Sequence, residues 1–108
     1  MRREKLNKGE VNRLFADGAS AKERWLIARA LANGLPHSRF AAIAPHKSGC
    51  AVFRNRLKRR LRAAWAAARA ELPAGDDFAV IARREVADCE FPQLREMLAR
   101  ALRKLAGL

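Results

Sequence analysis

Apolar residues recur along much of this chain at steps of three and four, and elsewhere they gather into short runs. Near the start, Val11, Leu14 and Phe15 fall on one helical face. Asn7 and Glu10 stand in the Asn-x-x-Glu relation of a capping box that opens this helix, and Gly18 can close it. After Gly49, a helix over residues 51–70 carries Phe53, Leu57, Leu61, Ala64, Trp65 and Ala68 as one apolar stripe. A last helix begins near Pro92, a favoured first-turn residue, with Leu94, Met97, Leu98, Ala101, Leu102 and Leu105 on its inner side. Between these helices, residues 40–44 form an apolar run bracketed by Pro36 and Pro45 and read as a strand. Residues 78–82, behind the turn Pro73-Ala74-Gly75-Asp76, read as a buried strand. Helices and strands alternate, which predicts an α/β sandwich with helices on one or both faces of a sheet.

Residues 20–34 carry two messages. Ser20 and Glu23 are spaced as a second capping box, and residues 25–31 are rich in good helix formers, so local propensity favours a helix. Read as a strand, Trp25, Ile27 and Leu31 share a face interrupted by Arg29. Asn33-Gly34 suits either a helix end or a hairpin turn.

A length of 108 residues predicts one domain over residues 1–108, with a core but little to spare. No apolar run approaches the roughly 20 residues that span a bilayer. The charged start, residues 1–5, lacks the apolar stretch of a signal peptide. Both features predict a cytoplasmic protein with no membrane partner, in which Cys50 and Cys89 stay reduced. The net charge of +12 is informative for its location. Between Glu23 and Glu71 there is no acidic residue but eleven Lys and Arg, while the rest of the chain is nearly balanced. A block of one sign attracts polyanions, which makes nucleic acid the expected partner.

The block peaks in the long helix, where six of the nine residues 54–62 are cationic. At about 100° per residue, Lys58, Arg59 and Arg62 spread opposite the apolar stripe, while Arg56 and Arg60 flank it. Cations in the first turns oppose the helix dipole at about 0.3–1 kcal/mol each. Like charges four apart, as in Arg54/Lys58 and Lys58/Arg62, add a smaller penalty. A helix selected only to fold would carry Glu at some of these positions. Phosphates near the helix start reverse both penalties, since the free N–H groups there suit anions. The preference for Arg over Lys suits bidentate phosphate contacts.

The segment from Gly49 to Trp65 resembles the signature of the bacterial ribonuclease P protein subunit. The matching residues are Arg54-Asn55-Arg56, Leu57, Lys58-Arg59 and Arg62, and the likeness extends over nearly the whole chain. Leu14-Phe15 followed by Gly18 resembles the family's first helix, and the run from Pro73 to Arg83 resembles its last strand. The resemblance implies an α+β (α/β) two-layer sandwich of order αβββαβα, with a small mixed sheet and a left-handed βαβ crossover. It therefore implies a strand at residues 25–31, against local propensity. It implies a protein that assists a catalytic RNA, working with Mg²⁺, in removing the 5′ leader from precursor tRNA, with no stable protein partner required. By the same likeness, Arg54, Asn55, Arg56, Lys58, Arg59, Arg60 and Arg62 contact the catalytic RNA. Val11, Phe15, His46 and Lys47 line a leader cleft between the first helix and the sheet. From the residues themselves, Arg83 with Arg84 reads either as a further RNA contact, placed with the leader, or as a solvated pair. Three places depart from the family's pattern: Val11 stands where an aromatic is usual, Ala44-Pro45-His46-Lys47 replaces a Val-Ser-Lys-Lys run, and Cys50 follows the glycine.

The chain offers no protein-borne catalytic centre. His46 and Cys50 lack an orienting carboxylate anywhere in residues 24–70, and the His and Cys residues have no metal-binding spacing. Asp76 and Asp77 sit in a turn, where Asp is ordinary, and there is no glycine-rich phosphate loop. Phe40, Phe53, Trp65, Phe78 and Phe91 are expected in the core. Catalysis is then expected from the RNA. A general RNA-binding or ribosome-associated module without a nuclease partner is the alternative, and a DNA-binding helix with Asn55 as base reader is a further one.

Overall fold

The computed structural model describes residues 5–107, so the charged start at residues 1–4 lies outside the described residues. The elements run α1 (Lys8–Asp17), β1 (Ala19–Lys22), β2 (Leu26–Ala32), β3 (Arg39–Ile43), α2 (Ala51–Ala68), β4 (Asp76–Ala82) and α3 (Phe91–Leu105). This is the αβββαβα order implied by the resemblance. The four strands form one mixed sheet in the order β1-β2-β4-β3. β2 pairs antiparallel with β1 and β4, whereas β3 lies parallel to β4 and is joined to it through α2.

Residues 20–23 do not start a helix. Ser20 pairs with Arg29 and Lys22 with Ile27, so the second capping-box pattern belongs to an edge strand and its exit. β2 is a strand because it is bonded on both sides. Its side chains alternate: Leu26, Ala28 and Ala30 are buried under the helices, while Ile27, Arg29 and Leu31 face the other way and are half-buried. Asn33-Gly34 forms neither a helix end nor a β2–β3 hairpin, since β4 lies between those strands. Instead Asn33 Oδ1 accepts the Leu35 N–H at 2.7 Å, and Gly34 takes φ 70°, a left-handed conformation that suits glycine.

The main core lies between the sheet and the α2/α3 layer. Leu57, Leu61, Phe78, Leu94, Leu98 and Leu102 are fully buried there. Each contributes about 1.5–3 kcal/mol of burial. Trp65 stacks on Phe40 with centroids 5.0 Å apart and tilts against Phe78 at 5.5 Å. Phe91 is an exception to the expected aromatic core. As the first residue of α3 it remains 38% exposed.

On the opposite face, α1 covers part of the sheet. The capping box forms as the sequence predicts: Asn7 Oδ1 accepts the Glu10 N–H, and Glu10 returns the contact to the Asn7 N–H. Leu14 is buried against Leu6 and Ala79. Gly18 ends the helix for a reason of space, because a Cβ there would lie 2.5 Å from the Leu14 carbonyl oxygen and 2.9 Å from that of Ala30. A buried guanidinium ties the helix down. Arg39 in β3 donates two bonds to Asp77 in β4, at 2.8 and 2.7 Å, and a third to Glu10 in α1 at 2.7 Å. Nothing in the sequence pattern announced this tie.

Candidate nucleic-acid interface

α2 is aimed by the residues before it. Gly49 has φ 151°, and a Cβ at that position would sit 3.1 Å from the Phe53 ring. Cys50 takes the N-cap place without capping the helix through its side chain, so the first N–H groups are left to other partners. Those groups make the helix start electropositive. Led by the N–H of Phe53, they hold the exposed Cys50 thiol below its usual pKa.

The predicted cations divide into three groups. Lys58, Arg59 and Arg62 point away from the core, and among the described residues no carboxylate or carbonyl engages them. Arg54 donates only to the carbonyl of Gly49, at 3.2 Å, and Asn55 is exposed. Arg60 is spent on the fold, while Arg56 makes an exposed surface ion pair. Arg60 donates to the carbonyls of Ala87 at 2.8 Å and Cys89 at 2.6 Å, and Arg56 pairs with Asp88 at 3.1 Å. Together they clamp the short 3-10 turn Arg84–Ala87 and its exit against α2. Arg84 adds to the clamp by lying over the Phe53 ring at 5.3 Å. The outward triad is therefore the part of the helix that the described fold leaves unengaged, whereas Arg60 is held by two backbone carbonyls.

The predicted leader residues fall around the sheet face that α1 leaves partly open. Ile27, Ile81 and Ile43 pair in register across β2, β4 and β3, and they form a half-buried apolar row on that face. Beside it lies a groove of about 530 Å³ whose cations are Lys22, Lys47, Arg83 and Arg84, with Glu23 and Glu85 also present. Lys47 and Arg83 are thus brought together as expected. Val11 lines a second groove of about 340 Å³, which includes Ile43 and reaches Lys58 and Arg62 on α2. His46 is exposed in the 3-10 turn His46–Ser48 and lines neither groove. Phe15 is half-buried beneath Arg29, whose guanidinium lies 5.4 Å from the ring centre and donates to the Phe15 carbonyl.

Arg29 and Glu23 are the residues here that the sequence reading overlooked. Arg29 was visible as a lone charge in an apolar run. Glu23 gave no signal, since its partners Arg100 and Lys104 lie far along the chain. Burial pushes the Glu23 carboxyl up, but the bonds and charges of Arg100 and Lys104 outweigh that and hold it below its ordinary pKa.

Known proteins resemble this chain in sequence and in fold. The sequence profile of the family described as Ribonuclease P matches residues 2–106. The ribonuclease P protein component of Geobacillus kaustophilus is 34% identical over 100 residues, which cover 92% of this chain and 83% of that one. Its counterpart in Streptococcus thermophilus is 38% identical over 95 residues, covering 88% and 84%. Among solved structures, the RNase P protein from Thermotoga maritima superposes with a TM-score of 0.85 at 28% identity, covering 94% of this chain and 97% of that one. Fold, motif and full-length likeness coincide, and the chain belongs to the ribonuclease P protein family.

Proposed function

We propose that this protein component binds its catalytic RNA through the outward face of α2 and holds the 5′ leader of precursor tRNA along the open sheet face. The observation that carries the reading is the triad Lys58, Arg59 and Arg62, which no carboxylate or carbonyl engages among the described residues, on the same helix as an Arg60 held by two backbone carbonyls. Outward cations near a helix N-terminus neutralise phosphates and release counterions on binding. Arg54 and Asn55, at the helix start, extend the same contact. For the leader, Lys47 and Arg83 supply phosphate contacts over the isoleucine row, and Val11 and Phe15 supply apolar contact from α1, with His46 at the rim.

The chemistry in this reading is phosphodiester hydrolysis by the RNA with Mg²⁺. The chain itself contributes cations: among the described residues no three His, Cys, Asp or Glu side chains converge to hold a metal ion. Screening of phosphate repulsion lets the RNA act at lower Mg²⁺, and the leader groove favours precursor over mature tRNA. The test is reconstitution with a bacterial ribonuclease P RNA at low Mg²⁺. The protein restores correct 5′ cleavage, and Lys47→Ala with Arg83→Ala weakens binding of precursor while leaving mature tRNA unchanged. If the pair of substitutions weakens both substrates equally, the leader assignment is wrong.

A further inference from the structure

The groove assigned to the leader has two cationic walls, and both rest on α2. One wall carries Lys47 with Pro45 and Ser48, and the other is the turn after β4, with Arg83, Arg84 and Glu85. That turn is a single hydrogen-bonded unit. The Val86 N–H donates to the Arg83 carbonyl at 3.1 Å, and the N–H groups of Asp88 and Cys89 donate to the Glu85 carbonyl at 3.2 and 3.1 Å. Its front is fixed to the sheet, because the Arg83 N–H donates to the Trp25 carbonyl at 2.8 Å. Its back is fixed by Arg60, which donates to the carbonyls of Ala87 at 2.8 Å and Cys89 at 2.6 Å. Phe53, on the same side of α2 as Arg60, touches both walls. Gly49 packs against its ring from one wall, and Arg84 lies over it at 5.3 Å from the other.

We propose that Arg60 is a positioning residue for precursor recognition: it sets the place of the Arg83 wall against Lys47 and touches no RNA itself. The inference rests on the assignment of that groove to the leader. A binding constellation works only when the residues behind it lock it to within about 0.5 Å. Burial alone keeps the turn folded, since Val86 and Ala87 are fully buried. Apolar burial is non-directional, however, and does not fix where the turn's polar side chains point. Arg60 supplies that direction, because its planar donors grip two carbonyls of the turn at once. The Arg56–Asp88 pair is exposed on both sides and adds little to the hold. Arg60 thus stands inside the cationic block of α2 yet serves the precursor and not the catalytic RNA.

The test uses the protein reconstituted with a bacterial ribonuclease P RNA. Arg60→Ala should lower the preference for precursor over mature tRNA by about two- to tenfold, the worth of one ordinary hydrogen bond. The loss should fall on KM for precursor, with kcat and affinity for the catalytic RNA equal to the parent's. Arg60→Lys keeps a charged donor without the planar fork and should recover part of the preference. Arg60→Gln, which keeps one amide donor, takes the place of Arg60→Ala if the alanine variant does not fold. Because Arg60 acts through Arg83, adding Arg60→Ala to Arg83→Ala should cost less than about twofold more. Full additivity, an equal loss for mature tRNA, a fall in kcat alone, or no gain from Arg60→Lys each overturns the proposal. Lys47→Ala with Arg83→Ala separates it from the reading beneath. If that pair lowers the preference and folded Arg60→Ala or Arg60→Gln does not, the leader groove stands and only the positioning role fails. If the pair leaves the preference unchanged, both fall.

Discussion

Arg60 and Arg62 stand two residues apart on one helix and are used in opposite ways. Arg60 turns back, and its guanidinium is consumed by two backbone carbonyls of the turn before α3. Arg62 turns outward and meets no carboxylate or carbonyl among the described residues. The same contrast runs through the molecule: Arg39 is engaged by the fold, whereas Lys58 and Arg59 meet no acceptor among the described residues. Residue type alone does not tell which cations the fold engages. The acceptors that neighbouring elements bring decide it, and under the proposed function an arginine left without any is the one that meets a phosphate.

The contrast can be broken from the folded side first. Arg39→Ala leaves Asp77 buried and uncompensated and frees α1 at Glu10. It should cost about 3–5 kcal/mol in urea unfolding. A cost under about 1 kcal/mol would show that the Glu10–Arg39–Asp77 tie does not hold the helix. Arg60→Ala removes two charge-assisted bonds and should cost about 1.5–3 kcal/mol, while the folded fraction keeps the parent's salt dependence for RNA. A lower salt slope in Arg60→Ala would move that residue to the binding side of the comparison.

The smallest effect concerns Glu23. Its carboxyl titrates below the ordinary glutamate value in the folded protein, so the unfolded chain takes up the proton first. The stabilisation is whole above the ordinary value and disappears as pH falls through the folded one. Glu23→Gln should therefore flatten the acid limb of the stability curve and leave the RNA salt slope alone. An unchanged acid limb would assign that limb to other carboxylates.

Much of this was legible in the sequence, and the exceptions share a cause. α1, α2, α3, β3 and β4 follow from apolar spacing and turn residues, because each has a local signature. β2 misled local propensity because its buried positions are largely alanine, which scores as helix former while fitting a sheet bonded on both sides. The resemblance to the family corrected what propensity could not. The division between Arg60 and Arg62 was invisible, since the carbonyls facing Arg60 belong to residues 27 and 29 positions later. Asp77, the partner of Arg39, is likewise 38 residues away. Spacing reads what a residue does with its own turn or strand; it does not read which distant acceptor arrives beside it.

The central claim is that the unengaged cations of α2 exist for a polyanion, and the Arg59→Ala/Arg62→Ala double variant tests it directly. Its affinity for folded ribonuclease P RNA should be measured across a salt series beside its urea midpoint. The log K against log salt slope should flatten by up to about two units, with stability within about 0.5 kcal/mol of the parent. A parental slope, or a loss of binding explained by unfolding, would contradict it.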